Sequence, residues 1–358
     1  MKAAVCHEFG KPLVVEELDI DPPQKGEVKV RLAATAVCHS DIHFLGGELG
    51  GQAPVVAGHE SSGYIEEVGE GVTSVKPGDA VVVSLLRSCG KCLYCKTGRP
   101  HMCEAQWPLD TEHRLHNKKG EVVNQGVWVG SFAEYVIVDQ SQVVKVPDNV
   151  PMDSMSLLGC GVITGFGAVV NRARPEPMSS LVVVGVGGVG LNAIQGAVFA
   201  GAHPIIAVDM LDSKLKAAKD FGATDTVNAS KEKDPIEAVR KLTSGRGADY
   251  VIVTVGSTAA LKQGLSMSGK QGMTVIVGLA TQEMTVMPME FIDAEKTMAG
   301  CFMGVTNLSV DIPRLVSLYQ SGRLKLDELV TERYPLDKIN EAIKAVIDGK
   351  ALRNVIVF

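Results

Sequence analysis

Residues 180–190 read SLVVVGVGGVG, and residues 205–209 read IIAVD. An apolar run that ends in closely spaced glycines is a buried strand entering a tight turn, and LNAIQGAVFAG (191–201) continues it as a helix. Gly185, Gly187 and Gly190 occupy the glycine positions of a G-x-G-x-x-G turn, with Gly188 and Val189 inside it. Glycine there permits the turn and a close backbone approach, while the helix N-terminus favours a phosphate. Asp209 lies 19 residues beyond Gly190, at the end of the next strand. A carboxylate at that point accepts hydrogen bonds from a ribose and repels a 2′-phosphate. The stretch predicts a dinucleotide-binding domain that takes NAD in preference to NADP.

Working outward, DTVN (225–228), DYVIVTVG (249–256) and MTVIVGL (273–279) read as further buried strands. SKLKAAKDFG (213–222), DPIEAVRKLTS (234–244) and AALKQGLSMS (259–268) read as the helices between them. This alternation means an α/β, doubly wound parallel sheet with helices on both faces. Val255 and Val277, at the ends of two of those strands, join the expected cofactor-binding set. Residues 1–160 follow another grammar. EVKVRLAATAV, SSGYIEEVG, DAVVVSLL and FAEYVIVD are short β-branched runs separated by turns such as PPQKGE and SVKPGD. They predict a barrel-like β domain. The expected boundaries are 1–160, 161–302 and 303–358, the last carrying DIPRLVSLYQSG, LDKINEAIKAVIDG and the strand RNVIVF.

At 358 residues the chain is too long for one compact core. A net charge of −6 without a basic block argues against nucleic acid as a partner. No apolar run reaches the ~18–20 residues of a membrane span, and MKAAVCHEFGKPLVVEELD has no signal core. The expectation is a cytoplasmic protein, whose eight cysteines stay reduced. Four of them fall in CGKCLYCKTGRPHMC (89–103). An iron–sulfur run would read C-x₂-C-x₂-C-x₃-C-P; here seven residues separate Cys95 from Cys103, and Glu104 follows. A tetrahedral zinc site on Cys89, Cys92, Cys95 and Cys103 fits better, forming a lobe over 88–104. Four thiolates leave no position open, so its role is structural.

A second set is dispersed through CHSDIH (38–43), GHE (58–60) and LLGCGVITGFG (157–167). Taken singly, each cysteine or histidine there is an ordinary buried residue. With AGHESSGYIEEVGEGV, PGDAV, GCGVITGFGAVV, GVGGVG and LRNVIVF in that order, however, the chain resembles the zinc-dependent medium-chain alcohol dehydrogenases over essentially its whole length. The resemblance implies a GroES-like catalytic domain, built from both chain ends around a Rossmann domain, with the active site in the cleft between them. It implies Cys38, His59 and Cys160 as ligands of a catalytic zinc, Asp41 as the carboxylate orienting His59, and Glu60 as an alternative ligand. Thr164 and Val189 match nicotinamide contacts, Lys214 an adenosine-ribose contact, and Arg353 a pyrophosphate contact. His39 stands where many relatives carry a pyrophosphate-gripping arginine, and an imidazole would hold the cofactor less tightly.

The expected reaction is oxidation of an alcohol to an aldehyde or ketone, or its reverse. Ser40 takes the hydroxyl proton and passes it by way of the cofactor ribose to His43. Leu49, Leu85, Trp107, Leu109 and Phe132 are candidates for an apolar pocket, with ordinary core packing the equal alternative for each. By the same resemblance, in which dimeric relatives keep a long loop and tetrameric ones a shorter one, the long stretch between Cys103 and Ser131 implies a homodimer, with a tetramer as the alternative. Two rivals stand beside this reading. One is a dehydrogenase of formaldehyde–thiol adducts, with His39, His113, Arg114 and His116 as candidate anion binders. The other is a non-catalytic dinucleotide-binding protein, which would be marked by the loss of a ligand.

Overall fold

The computed structural model describes residues Met1–Phe358, which divide into two units: Met1–Cys160 with Asn307–Phe358, and Gly161–Thr306. The second unit ends at Thr306, not at 302. The cause is the turn Met303–Val305, which lies against the helix Gly161–Gly167; a Cβ on Gly304 would sit 2.0 Å from the Ile163 carbonyl oxygen.

The second unit is a parallel sheet of six strands in the order Asp225–Asn228, Ile205–Asp209, Leu181–Val184, Ala248–Val253, Ser268–Ile276, Thr297–Gly300. The central strand Leu181–Val184 is wholly buried, as its unbroken valine run requires of a strand covered on both faces. Chain order reverses at this strand, since it comes first in the sheet's sequence and the later strands Ile205–Asp209 and Ala248–Val253 lie on its two sides. That reversal is where doubly wound sheets bind their ligands. No single helix of the chain is long and apolar enough to cross a membrane.

The first unit is mostly antiparallel. Its larger sheet runs Val143–Lys145, Ala80–Val83, Ser61–Val68, Glu27–Ala36, Arg353–Val357, Val330–Pro335, with Tyr135–Asp139 also paired to Glu27–Ala36. The closing strand Arg353–Val357 pairs antiparallel with Glu27–Ala36, Val355 opposite Ala36. The far end of the chain therefore lies beside Cys38. Apolar residues from the smaller sheet and the C-terminal helix Ile339–Ile347 form a core that includes Leu18, Phe132, Ile339 and Ile356. Phe132 is fully buried there, which decides between its two expected places in favour of core packing over pocket lining.

Candidate metal and cofactor sites

Cys38 follows the strand Glu27–Ala36 and opens the short helix His39–Leu45. His59 and Glu60 precede the strand Ser61–Val68, whose Ser61 pairs with Thr35, and the Ala36 amide donates to the Glu60 carbonyl at 2.8 Å. Cys160 follows the turn Leu157–Gly159, which is held by a 2.6 Å bond from Ser84 Oγ to the Gly159 carbonyl. A Cβ on Gly159 would stand 2.5 Å from the Val83 carbonyl oxygen, so only glycine lets this turn close on the sheet. Sheet pairing thus gathers three separated segments. The ligand atoms of Cys38, His59, Glu60 and Cys160 all lie within 4.8 Å of one another, and all four residues are buried.

Asp41 is fully buried and uses both carboxylate oxygens: Oδ2 accepts from the Cys38 amide at 3.0 Å, and Oδ1 lies 2.6 Å from His59 Nδ1. Burial works against charge on His59, but the Asp41 charge and hydrogen bond outweigh it and hold the imidazole well above its ordinary pKa. A carboxylate only accepts, so Nδ1 carries the hydrogen and Nε2 faces the cluster, ready for a metal in place of a proton. The hydrogen bond with Cys160, ahead of the opposing effect of burial, holds the Cys38 thiol well below its usual range. Such a donor set, two sulfurs and one nitrogen with a carboxylate in reach, suits zinc with one position to spare. Ser40 Oγ is 3.1 Å from Cys38 Sγ and 3.2 Å from His59 Nε2, so the structure brings this hydroxyl to the ligands. His43 it places elsewhere: Nδ1 is 2.9 Å from Glu48 Oε2.

Arg353 is buried and its guanidinium is paired with Glu60. This partner was not legible in the sequence, which has 292 residues between the two. Burial opposes the charge on Arg353, while Glu60 and the two ligand thiols outweigh it and raise its pKa. Its Nε has no hydrogen-bond partner.

The four cysteines 89–103 also converge within 4.8 Å, half-buried. Cys92 and Cys103 sulfurs are 3.9 Å apart. That matches the ~3.8 Å edge of a tetrahedron of thiolates around zinc at about 2.3 Å. Backbone amides aim at the sulfurs: Lys91 and Cys92 at Cys89, Cys95 at Cys92, Cys89 at Cys103. The amides of Cys95 and Glu104 bring the Cys92 thiol down to about 6.

In the second unit Gly185 has φ +85°, and a Cβ there would meet the Val255 side chain at 2.3 Å. A Cβ on Gly190 would meet the Gly185 carbonyl at 2.0 Å, whereas one on Gly187 would meet nothing within 4 Å. Gly187 caps the helix Gly188–Ala200. Two glycines are therefore needed for packing and the third leaves the helix N-terminus open to a phosphate, as a dinucleotide requires. Asp209 accepts from the amides of Met210 and Leu211 through Oδ1 and from Val186 through Oδ2. Val255 and Val277 follow their strands, Lys214 lies on the helix after Asp209, and the Thr164 hydroxyl is 3.7 Å from the Met303 sulfur. His39 is exposed.

Two candidate anion binders are already engaged. Arg114 is buried in a bidentate pair with Glu27, at 2.7 and 3.0 Å, and His116 is 3.2 Å from Asp21. Leu49 is exposed, Leu85 buried, and Trp107 stacks 5.4 Å from the Arg87 guanidinium.

The model of the alcohol dehydrogenase GroES-like domain matches residues 24–148, and that of the zinc-binding dehydrogenase domain matches 188–321. The NDMA-dependent alcohol dehydrogenase of Amycolatopsis methanolica is 40% identical, over 99% of this chain and 98% of that protein. This chain is a member of the zinc-type medium-chain dehydrogenase family. Putative alcohol dehydrogenase D of Mycobacterium tuberculosis is 41% identical, over 99% of each chain. Among solved structures, benzyl alcohol dehydrogenase from Acinetobacter calcoaceticus superposes with a TM-score of 0.92 at 35% identity, covering 100% of this chain and 99% of that one. An alcohol dehydrogenase zinc-binding domain protein from Burkholderia ambifaria gives 0.94 at 34%, covering 100% and 98%. As a family member this zinc-type dehydrogenase is an oxidoreductase with a GroES-like and a Rossmann-like domain.

Proposed function

We propose that this dehydrogenase interconverts alcohols and aldehydes or ketones, with NAD as the hydride partner and zinc at both clusters. The observation that carries the reading is the buried Cys38–His59–Cys160 set with a serine hydroxyl touching two of its members. Zinc there supplies Lewis-acid polarisation of a bound oxygen, and the nicotinamide supplies the hydride acceptor. The protein's own residues do the rest. Cys38, His59 and Cys160 hold the metal, and Asp41 fixes the ring of His59. Ser40 Oγ accepts the proton leaving the substrate hydroxyl, and His43, at the partly exposed end of the same helix, delivers it to water. The glycine turn and the helix N-terminus at Gly187–Gly188 bind phosphate, and Asp209 takes the ribose. Cys89, Cys92, Cys95 and Cys103 hold the lobe together.

The test is a panel of alcohols varied in length and aromaticity, benzyl alcohol included because a structural relative carries that name, with NAD, NADP and NDMA as acceptors. NADH formation from NAD is the expected result, and turnover with NDMA but none with NAD would sink the cofactor assignment. Asp209→Gly is expected to relax the preference towards NADP by removing charge repulsion; equal efficiency with both cofactors in the wild type would count against Asp209. Formaldehyde with and without thiols separates the adduct reading, for which Arg114, committed to Glu27, offers no free cation.

A further inference from the structure

We infer that Glu48 is the positioning residue of the proton exit, holding the His43 ring so that Nε2 is its basic nitrogen. The inference rests on the proposed role of His43. After Leu45 the chain reverses through Gly46 and Gly47, the latter at φ +82°, and Glu48 returns over the helix it has just left. The Glu48 amide donates to the His43 carbonyl at 3.0 Å, and the Glu48 side chain meets His43 Nδ1 at 2.9 Å. Histidine and glutamate are thus tied at both backbone and side chain. The turn is anchored in its turn by the Gly46 and Gly47 amides, which donate to Ile42 and Phe44, and by the Gly10 amide on Leu45. The backbone turn thus places Glu48 with its carboxylate within hydrogen-bond reach of the ring.

An ionised carboxylate has no hydrogen to give, so Nδ1 must be the protonated nitrogen and Nε2 the acceptor. The same helix thus supplies one member to each of two histidine–carboxylate pairs of opposite setting. Asp41 with His59 is fully buried and serves the metal; Glu48 with His43 is partly exposed, at 48% and 30%, where water reaches the ring. In alcohol oxidation the proton that Ser40 accepts is taken up at His43 Nε2, giving an imidazolium held by Glu48. Water removes the Nε2 proton and restores the Nδ1–H form. One proton moves from substrate to solvent, and neither residue is changed.

The experiment compares Glu48→Ala, Glu48→Gln, His43→Gln and the His43→Gln/Glu48→Ala double variant in the zinc-loaded enzyme. Single-turnover NADH formation in Glu48→Ala is expected to fall by about 3–10-fold, below the ~10²–10⁴ of full general acid–base assistance. KM for NAD should stay within about twofold of the wild type. Added imidazole should restore the rate, and the double variant should be no slower than His43→Gln, since both changes break one path. Independently of turnover, nitrogen shifts of isotope-labelled histidine should report Nδ1–H at His43 in the wild type and a mixture of tautomers in Glu48→Gln. The inference is overturned if the two losses multiply, if imidazole fails to rescue Glu48→Ala, or if His43 shows the Nε2–H form. Wild-type rates in Glu48→Ala beside a slow, rescuable His43→Gln would remove Glu48 alone. Wild-type rates in His43→Gln would instead remove the proton-exit role of His43 on which the inference stands.

Discussion

Cys89, Cys92, Cys95 and Cys103 come from a single loop and remain half-buried, whereas Cys38, His59, Glu60 and Cys160 come from three segments and are buried. The lobe needs little beyond itself. Its sulfurs are oriented by amides of the same loop, two to fourteen positions away. The buried cluster needs the whole unit: sheet register sets Cys38 against His59, a turn pinned by Ser84 brings Cys160, and the last strand brings Arg353 to Glu60. A closed local site can stiffen a loop. A site assembled from distant segments can leave a position open and dry, which is what chemistry on a bound oxygen requires.

Losing a ligand tests that contrast most severely. Cys38→Ser is expected to abolish activity and to lower bound zinc from two ions per chain to one, with the circular dichroism spectrum unchanged. Retention of both ions, or of activity, would break the assignment of the buried cluster. Ser40→Ala comes next, with alcohol oxidation down by about 10²-fold or more because no water can replace a hydroxyl touching the ligands. Zinc content should not move, and a loss of zinc would show Ser40 to be structural instead.

Asp41→Asn sharpens the comparison further. With the carboxylate charge facing His59 Nδ1 gone, the buried site should bind zinc about 10–100-fold more weakly, as measured by competition with a chelator. The lobe should hold its ion unchanged; equal weakening of both would mean that the two sites are not independent. The smallest effect on turnover belongs to Cys92→Ser. It should release the lobe ion and lower the thermal midpoint while kcat at 25 °C stays within about threefold of wild type, since the lobe touches no reacting atom. A collapse of kcat in folded protein would give the lobe a part in catalysis.

Legibility followed the same division. The lobe could be read from spacing alone, because every distance in it is short along the chain. The nucleotide turn was legible for a similar reason: Gly185, Gly187 and Gly190 each answer to a local steric demand, two to close contacts and one to open space. The buried cluster was legible only through resemblance, since a lone cysteine or histidine carries no spacing signal. Pairings with no local pattern were missed or misassigned. The pairing of Arg353 with Glu60 was missed; Arg114 was a candidate anion binder and is spent on Glu27; for Phe132, which residue order left between pocket and core, packing chose the core.

By itself the sequence determined the two kinds of sheet, the phosphate turn with its acidic strand end, and the four-thiolate loop. Each depends on periodicity, on glycine sterics or on ligands a few residues apart, and such short-range physics is written directly in residue order. Only the tertiary structure decided which carboxylate each histidine answers to, which cation neutralises Glu60, and where the chain's last strand closes the site. Those outcomes depend on strand register and on burial. A buried charge must find its partner among whatever groups the fold brings within a few ångströms, however far away they stand in the chain.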